Sequence, residues 1–257
     1  MYIDTHCHLN FKEFDPDRAM VIGNAKKAGV KKFINPGNSV VTSKQAIALS
    51  QKYPGVVFPA LGIHPYEITK NPDTHDIERL IIVNKNIIAI GECGLDYHAY
   101  EDFPASGKKT EQKQLFEEQL HLALKYNLPV IIHCRDAFAD AFDVLDGLPK
   151  MPRGVFHCFS GGLADVRDIE KRGFFLGLDG NATYSKQLKL VIPSIPLSMI
   201  HLETDAPLLP PVGYRGERNE PKYIPLIAQT VAELHNVPMK IVEDQTTQNA
   251  QQLFRLT

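Results

Sequence analysis

The stretch Asp4-Thr5-His6-Cys7-His8 places two imidazoles, a thiol and a carboxylate close together behind an apolar start, a donor set able to hold a divalent transition ion. A ligand-type residue followed by cysteine recurs at Glu92-Cys93, His133-Cys134 and His157-Cys158, each closing an apolar run, and Ile200-His201-Leu202-Glu203-Thr204-Asp205 completes the series. If those runs are strands, successive side chains alternate faces. Asp4, His6 and His8 then share one face and Cys7 takes the other. All four cysteines stand one step past a candidate ligand and are expected to point away from it into packing, where thiols are at home. In the last run His201, Glu203 and Asp205 share a face, with Asp205 outermost and His201 deep enough to read as a satisfied core histidine.

His6, His8, Glu92, His133, His157 and Asp205 together exceed what a mononuclear site needs. They suit two divalent ions roughly 3.5–4 Å apart, a spacing that one bridging carboxylate can hold, and Glu92 is the natural bridge. Any one of them alone reads equally well as a hydrogen-bonding residue at a strand end. Six at the same end would bury polar groups at a desolvation cost that only convergence on a ligand offsets. By ligand softness, this imidazole-rich set favours zinc, manganese or another transition ion over magnesium.

The elements that must position these residues alternate along the chain. Strand patterns cover Tyr2–His8, Lys32–Pro36, Val56–Ile63, Ile87–Glu92, Pro129–His133, Gly154–His157, Phe174–Leu178 and Met199–Glu203. Helical patterns cover Asp17–Ala28, Ser43–Lys52, Asp76–Asn84, Glu111–Tyr126, Ala137–Leu145 and Leu163–Lys171, with a weaker one near Lys186–Ile192 and two more after Pro221. The alternation predicts a (β/α)8 TIM barrel of parallel strands, with the polar residues gathered at the C-terminal strand ends where such barrels place their chemistry. An open doubly wound sheet is the rival, but no glycine fingerprint follows the first strand. No shift in composition marks a linker, so residues 1–257 read as one domain.

Composition narrows the function. With 44% hydrophobic residues in a chain of 257 the core can be large, while a formal net charge of −2 gives no field for wrapping duplex DNA or lying on an anionic membrane. An enzyme that grips only a strand end needs no such field. No apolar run approaches the ~18 residues of a membrane span, no leader pattern opens the chain, and the cysteines lack disulfide or CxxC spacing. A cytoplasmic, reducing setting with no membrane partner is expected.

The motifs "DTHCHL" (4–9), "GIHP" (62–65), "GECGLDY" (91–97), "IHCRDA" (132–137), "HCFSG" (157–161), "LETDAP" (202–207) and "RNEP" (218–221) resemble, in order and over most of the chain, those of the TatD-type metal-dependent hydrolases. These belong to the amidohydrolase superfamily and include deoxyribonucleases. The resemblance implies that His6, His8, Glu92 and Asp205 hold one metal and that Glu92, His133 and His157 hold the other. It also implies two divalent cations per chain, zinc, manganese or magnesium, bridged by a glutamate where many dinuclear relatives use a carbamylated lysine. The loop "YHAYEDFPASGKKTEQ" (97–112) departs from the family in length and in aromatic and basic content, which bears on substrate preference.

The expected function is metal-dependent hydrolysis of phosphodiester bonds at DNA or RNA ends, a deoxyribonuclease of exonuclease type. The metals would lower the pKa of a bound water towards about 7 and so provide metal-bound hydroxide. Asp205 would accept its proton and pass it to the leaving oxygen, and Glu203 would orient a ligand or the water from beneath. His64 and Arg135 would reach a phosphate, arginine with its planar fork. Asp4 and Asp96 are lesser candidates for steadying ligands, Arg215 and Arg218 for touching a nucleic-acid strand, and Asn219 for capping the following helix. Ester or amide hydrolysis, including deacylation of aminoacyl-tRNA, is the alternative because the same hydroxide attacks a carbonyl. A non-catalytic binding module on the same barrel is a second alternative, at odds with a complete ligand set.

Overall fold

The computed structural model describes residues 1–99 and 107–256. Its strands are β1 (Tyr2–Asp4), β2 (Val30–Pro36), β3 (Val57–Leu61), β4 (Ala89–Asp96), β5 (Val130–Arg135), β6 (Gly154–Phe156), β7 (Phe175–Leu178) and β8 (Ile200–Leu202). The helices are α1 (Arg18–Lys27), α2 (Val40–Lys52), α3 (Thr74–Val83), α4 (Lys109–Tyr126), α5 (Phe138–Asp146), α6 (Leu163–Lys171), α7 (Lys186–Val191), α8 (Ile224–His235) and α9 (Met239–Phe254). Every strand pairs in parallel with its successor in chain order. The ring closes where the Thr5 N–H donates to the Leu202 carbonyl at 3.1 Å and Cys7 bridges Ala206. The expected (β/α)8 barrel is therefore the fold. Among the described residues no helix is long and apolar enough to cross a membrane.

Strands covered on both faces read as continuous apolar runs, and β4 is buried along its whole length. Two layers of core result. Apolar side chains such as Phe33, Leu61, Leu95, Phe116 and Ile132 fill the space between barrel and helices. Inside the barrel, Ile3, Ile34, Ala60, Ala89, Ile131 and Val155 form a floor. Against this floor pack Ala250, Leu253 and Phe254 at the end of α9, with Leu256 after it. The last helix is thus a plug for the N-terminal end of the barrel, leaving the opposite end open.

Strand boundaries differ from expectation where the site lies. β1 stops at Asp4 and β6 at Phe156, so His6, His8 and His157 sit on backbone that has already left the ladder. β4 instead runs on to Asp96, which puts Glu92 within the strand rather than at its end. Of the long loop expected after Asp96, residues 100–106 lie outside the described residues.

Candidate metal centre

Glu92 is aimed by an irregularity in its own strand. β4 and β5 pair Ile90 with Val130 and Cys93 with Ile132, so β4 carries one extra residue between those points. Such bulges re-aim side chains next to functional sites. Gly91 and Gly94 both have φ +144, and a Cβ on Gly94 would lie 2.0 Å from the His133 carbonyl oxygen. Only glycine permits that backbone and that approach. The Glu92 carboxylate thereby reaches the barrel axis.

There its two oxygens face different partners. Oε2 lies 3.5 Å from His6 Nε2 and 3.6 Å from His8 Nε2. Oε1 lies 3.0 Å from His133 Nδ1, 2.8 Å from His157 Nε2 and 3.3 Å from His64 Nε2. Asp205 joins the first group, with Oδ1 at 3.6 Å from His6 and 3.4 Å from His8, whose Nε2 atoms are 3.2 Å apart. His133 Nδ1 and His157 Nε2 are likewise 3.2 Å apart. An ion about 2.0–2.2 Å from four tetrahedral donors requires those donors to stand about 3.3–3.6 Å from one another. The spacings around Glu92 Oε2 and Asp205 fit that requirement, and the nitrogen and oxygen donors fit a divalent cation. Burial pushes the Glu92 carboxyl up, but the imidazoles of His157 and His64 outweigh it and hold the group well below the usual carboxylate range, ready to ligate.

Outer hydrogen bonds decide which ring nitrogen faces inward. His8 Nδ1 lies 3.2 Å from the Pro36 carbonyl, which can only accept, so Nδ1 holds the proton and the Nε2 lone pair is free to ligate. For His133 the arrangement is reversed: Nε2 donates to Asp96 Oδ2 at 2.9 Å, leaving the Nδ1 lone pair on the Glu92 side, free to ligate. Asp96 is itself fixed by the Tyr66 hydroxyl at 2.8 Å and the His98 N–H at 2.9 Å. His64 differs again. Its Nδ1 accepts the Tyr66 N–H at 3.1 Å, so in the neutral ring, which burial favours, Nε2 carries the proton and faces Glu92 as a hydrogen-bond donor.

A cleft of about 530 Å³ opens over these groups. His8, His64, Glu92, His133, Arg135, His157 and Asp205 all line it, while His6 lies fully buried below, its ring stacked on His157 at 3.9 Å. Glu203 does not reach the cleft. It is fully buried, accepts the Cys158 N–H, and lies 3.6 Å from His157 Nδ1, so it props the turn that carries His157. Asp4 ties β1 to the segment after β8 by accepting from the Thr204 N–H at 3.1 Å and hydroxyl at 2.6 Å.

Several expectations are corrected. Cys7 and Cys93 do pack among the helices, but Cys158 adopts φ +47, lines the cleft and donates to Asp179 Oδ2 at 2.9 Å. Alternation cannot predict a residue beyond the ladder. Cys134 packs in the outer core with one edge on the cleft. His201 is in the core, stacked on Phe175, yet neither ring nitrogen has a hydrogen-bond partner among the described residues. Asn219 is no helix cap. Its amide donates to the carbonyls of Thr204, Leu208 and Leu209, which clamps the loop after β8. Arg218 is occupied by Asp17 and Glu220. Phe11, Tyr66, Asn181 and Leu208, which periodicity could not single out because they stand in loops or in short 3-10 helices, also line the cleft.

The sequence matches the family model described as TatD related DNase over residues 3–255. The chain belongs to the TatD family. A Bacillus subtilis (strain 168) protein named uncharacterized metal-dependent hydrolase YabD is 35% identical over 261 residues, covering 100% of both chains. The protein of Cronobacter sakazakii (strain ATCC BAA-894) named 3'-5' ssDNA/RNA exonuclease TatD is 35% identical over 260 residues, covering 98% of this chain and 97% of the relative. Among solved structures, the TatD homolog YJJV of Escherichia coli K12 superposes with a TM-score of 0.91 at 32% identity, covering 100% of this chain and 98% of that one. As a TatD-family member this chain is a metal-dependent hydrolase acting on ester bonds. A non-catalytic module is thereby set aside.

Proposed function

We propose that the barrel, as one domain over residues 1–257, cleaves the terminal phosphodiester bonds of single-stranded DNA or RNA with two divalent cations held around Glu92. The observation that carries this reading is the division of one carboxylate, Glu92 Oε2 facing His6 and His8 and Oε1 facing His133 and His157. It joins with relatives named as single-strand exonucleases. His6, His8, Glu92 and Asp205 would hold one ion, and Glu92, His133 and His157 the other. Zinc, manganese and magnesium are the candidate ions. When bound, such ions supply an acidified water and positive charge opposite the phosphate oxygens.

The protein's own groups divide the remaining work. Asp205, held close to His8 and lining the cleft, takes the proton of the attacking water and delivers it to the leaving oxygen. Glu203 positions His157 from beneath. His64 offers its Nε2–H, and Arg135 at the end of β5 its guanidinium, to nonbridging oxygens of the phosphate. The net charge of −2 places affinity in these local contacts rather than in a broad basic field.

The test uses 5′- and 3′-labelled single-stranded DNA and RNA beside ester, amide and aminoacyl-tRNA substrates, with and without chelator, on the metal-loaded protein. Cleavage of the labelled strands should vanish with chelator and fall by about 10²–10⁴-fold in Asp205→Asn. Strand cleavage that survives both treatments refutes the mechanism, and turnover of carbonyl substrates alone refutes the substrate.

A further inference from the structure

Beyond the metals, one wall of the mouth is built as a rigid lip. The segment Gly180–Thr183 after β7 meets the loop after β8 so closely that a Cβ on Gly180 would lie 2.0 Å from the Leu209 carbonyl oxygen. Thr183 Oγ1 accepts the Val212 N–H at 2.8 Å. Leu209 holds φ +53, and the buried Asn219 amide fixes the carbonyls around it. Left-handed backbone at a branched residue costs about 1–3 kcal/mol and persists only where the surroundings impose it.

The lip displays the cation of Arg215. Arg215 is exposed, and its guanidinium lies 4.6 Å from the centroid of the Tyr184 ring. It has no ion pair among the described residues, whereas Arg218 nearby is bound to Asp17 and Glu220. Tyr184 is pinned at both ends, its N–H donating to the Asn181 carbonyl at 3.1 Å and its hydroxyl to Asn181 Oδ1. Asn181 lines the cleft. The sequence cleft, Asn181, Tyr184, Arg215 therefore leads outward from the metal centre by direct contacts. A guanidinium stacked on a fixed ring has already lost most of its rotamer freedom, so an anion that meets it costs little further order.

We propose that Tyr184 and Arg215 form a subsite for the body of the nucleic-acid strand, Arg215 pairing with a phosphate one or more nucleotides away from the scissile bond. The inference rests on the phosphodiesterase reading above. The cleft, about 530 Å³, is the size of a pocket for a single small ligand, so the rest of a strand must leave across a rim. The Tyr184 face of the lip offers both features that single strands use, an aromatic surface and a positive charge.

The experiment compares KM and kcat of wild type, Arg215→Ala, Arg215→Lys and Tyr184→Ala on bis(4-nitrophenyl) phosphate, a dinucleotide and a single-stranded 10-mer across a salt series. Melting temperatures check that the variants are folded. Arg215→Ala should raise KM for the 10-mer roughly five- to tenfold, leave its kcat and both small substrates unchanged, and reduce the salt slope by about 0.7. Arg215→Lys should restore the salt slope but only part of the affinity, since a point charge does not stack. Equal effects on the dinucleotide and 10-mer, or no effect on either, overturn the subsite while leaving the nuclease reading intact. Hydrolysis of the chromogenic diester by wild type with no cleavage of any oligonucleotide overturns both.

Discussion

At the scale of single residues, the proposed chemistry depends on lone pairs pointing inward, and those are set by outer hydrogen bonds. Asp96 accepts the His133 Nε2 proton while Tyr66 secures Asp96. Replacing Asp96 with Asn removes the anionic acceptor and frees the ring to take the other tautomer. Metal affinity measured by competition with a chromogenic chelator should fall about 10–100-fold; unchanged affinity contradicts the proposed role. Glu92→Gln removes the carboxylate that, among the described residues, faces both imidazole groups, and elemental analysis of the purified variant should find bound metal sharply reduced. The sequence already offered Glu92 as the bridge and Asp96 as a lesser candidate for steadying a ligand, but not which ring nitrogen each partner fixes. Tyr66 and His64 lie in the turn after β3, where no periodicity operates, and "GIHP" pointed to His64 without revealing that its proton faces Glu92.

Elements contribute at both ends of the barrel. At the floor, α9 seals the interior with Leu253 and Phe254, both buried, so Phe254→Ala should cost about 3–5 kcal/mol in urea unfolding. His201 sits beside this plug, and burial pushes its pKa down to about 3 from the ordinary 6.5. The folded protein therefore keeps the ring neutral, and the unfolded chain takes up the proton first as pH falls. Stability is fully present above pH 6.5 and declines below it by about 1.4 kcal/mol per unit until the folded-state pKa is reached. Between pH 7.5 and 5.0, wild type should lose about 2 kcal/mol more than His201→Phe, read from urea midpoints. An identical decline in both would show that His201 is not the group responsible. The sequence suggested a core histidine from its depth on β8, but its lack of hydrogen-bond partners among the described residues emerged only from the packing of Phe175 and Phe254 around it.

Over the whole molecule, the open end gathers Glu92, Asp205 and the imidazoles of His6, His8, His133 and His157 from five different stretches of chain, and cations that bind only the folded arrangement stabilise it by mass action. At about 100 times the dissociation constant that amounts to about 2.7 kcal/mol, or about 5–10 °C in melting temperature for a chain of this size. Calorimetry with and without chelator should show that difference in wild type and a much smaller one in Glu92→Gln. A chelator-insensitive melting temperature argues against a resident metal.

The alternation of apolar runs and amphipathic segments determined the barrel, because parallel strands buried on both faces leave few other ways to cover them. The types and order of His6, His8, Glu92, His133, His157 and Asp205 pointed to a metal-binding character, because convergence on a cation offsets the desolvation of so many buried donors. Tertiary structure decided the rest. The extra residue in β4 set the aim of Glu92, the early end of β6 removed Cys158 from strand alternation, and the contact of Gly180 with Leu209 built the lip. Each of these depends on where one backbone meets another, and that distance is not encoded in the spacing of residues along either one.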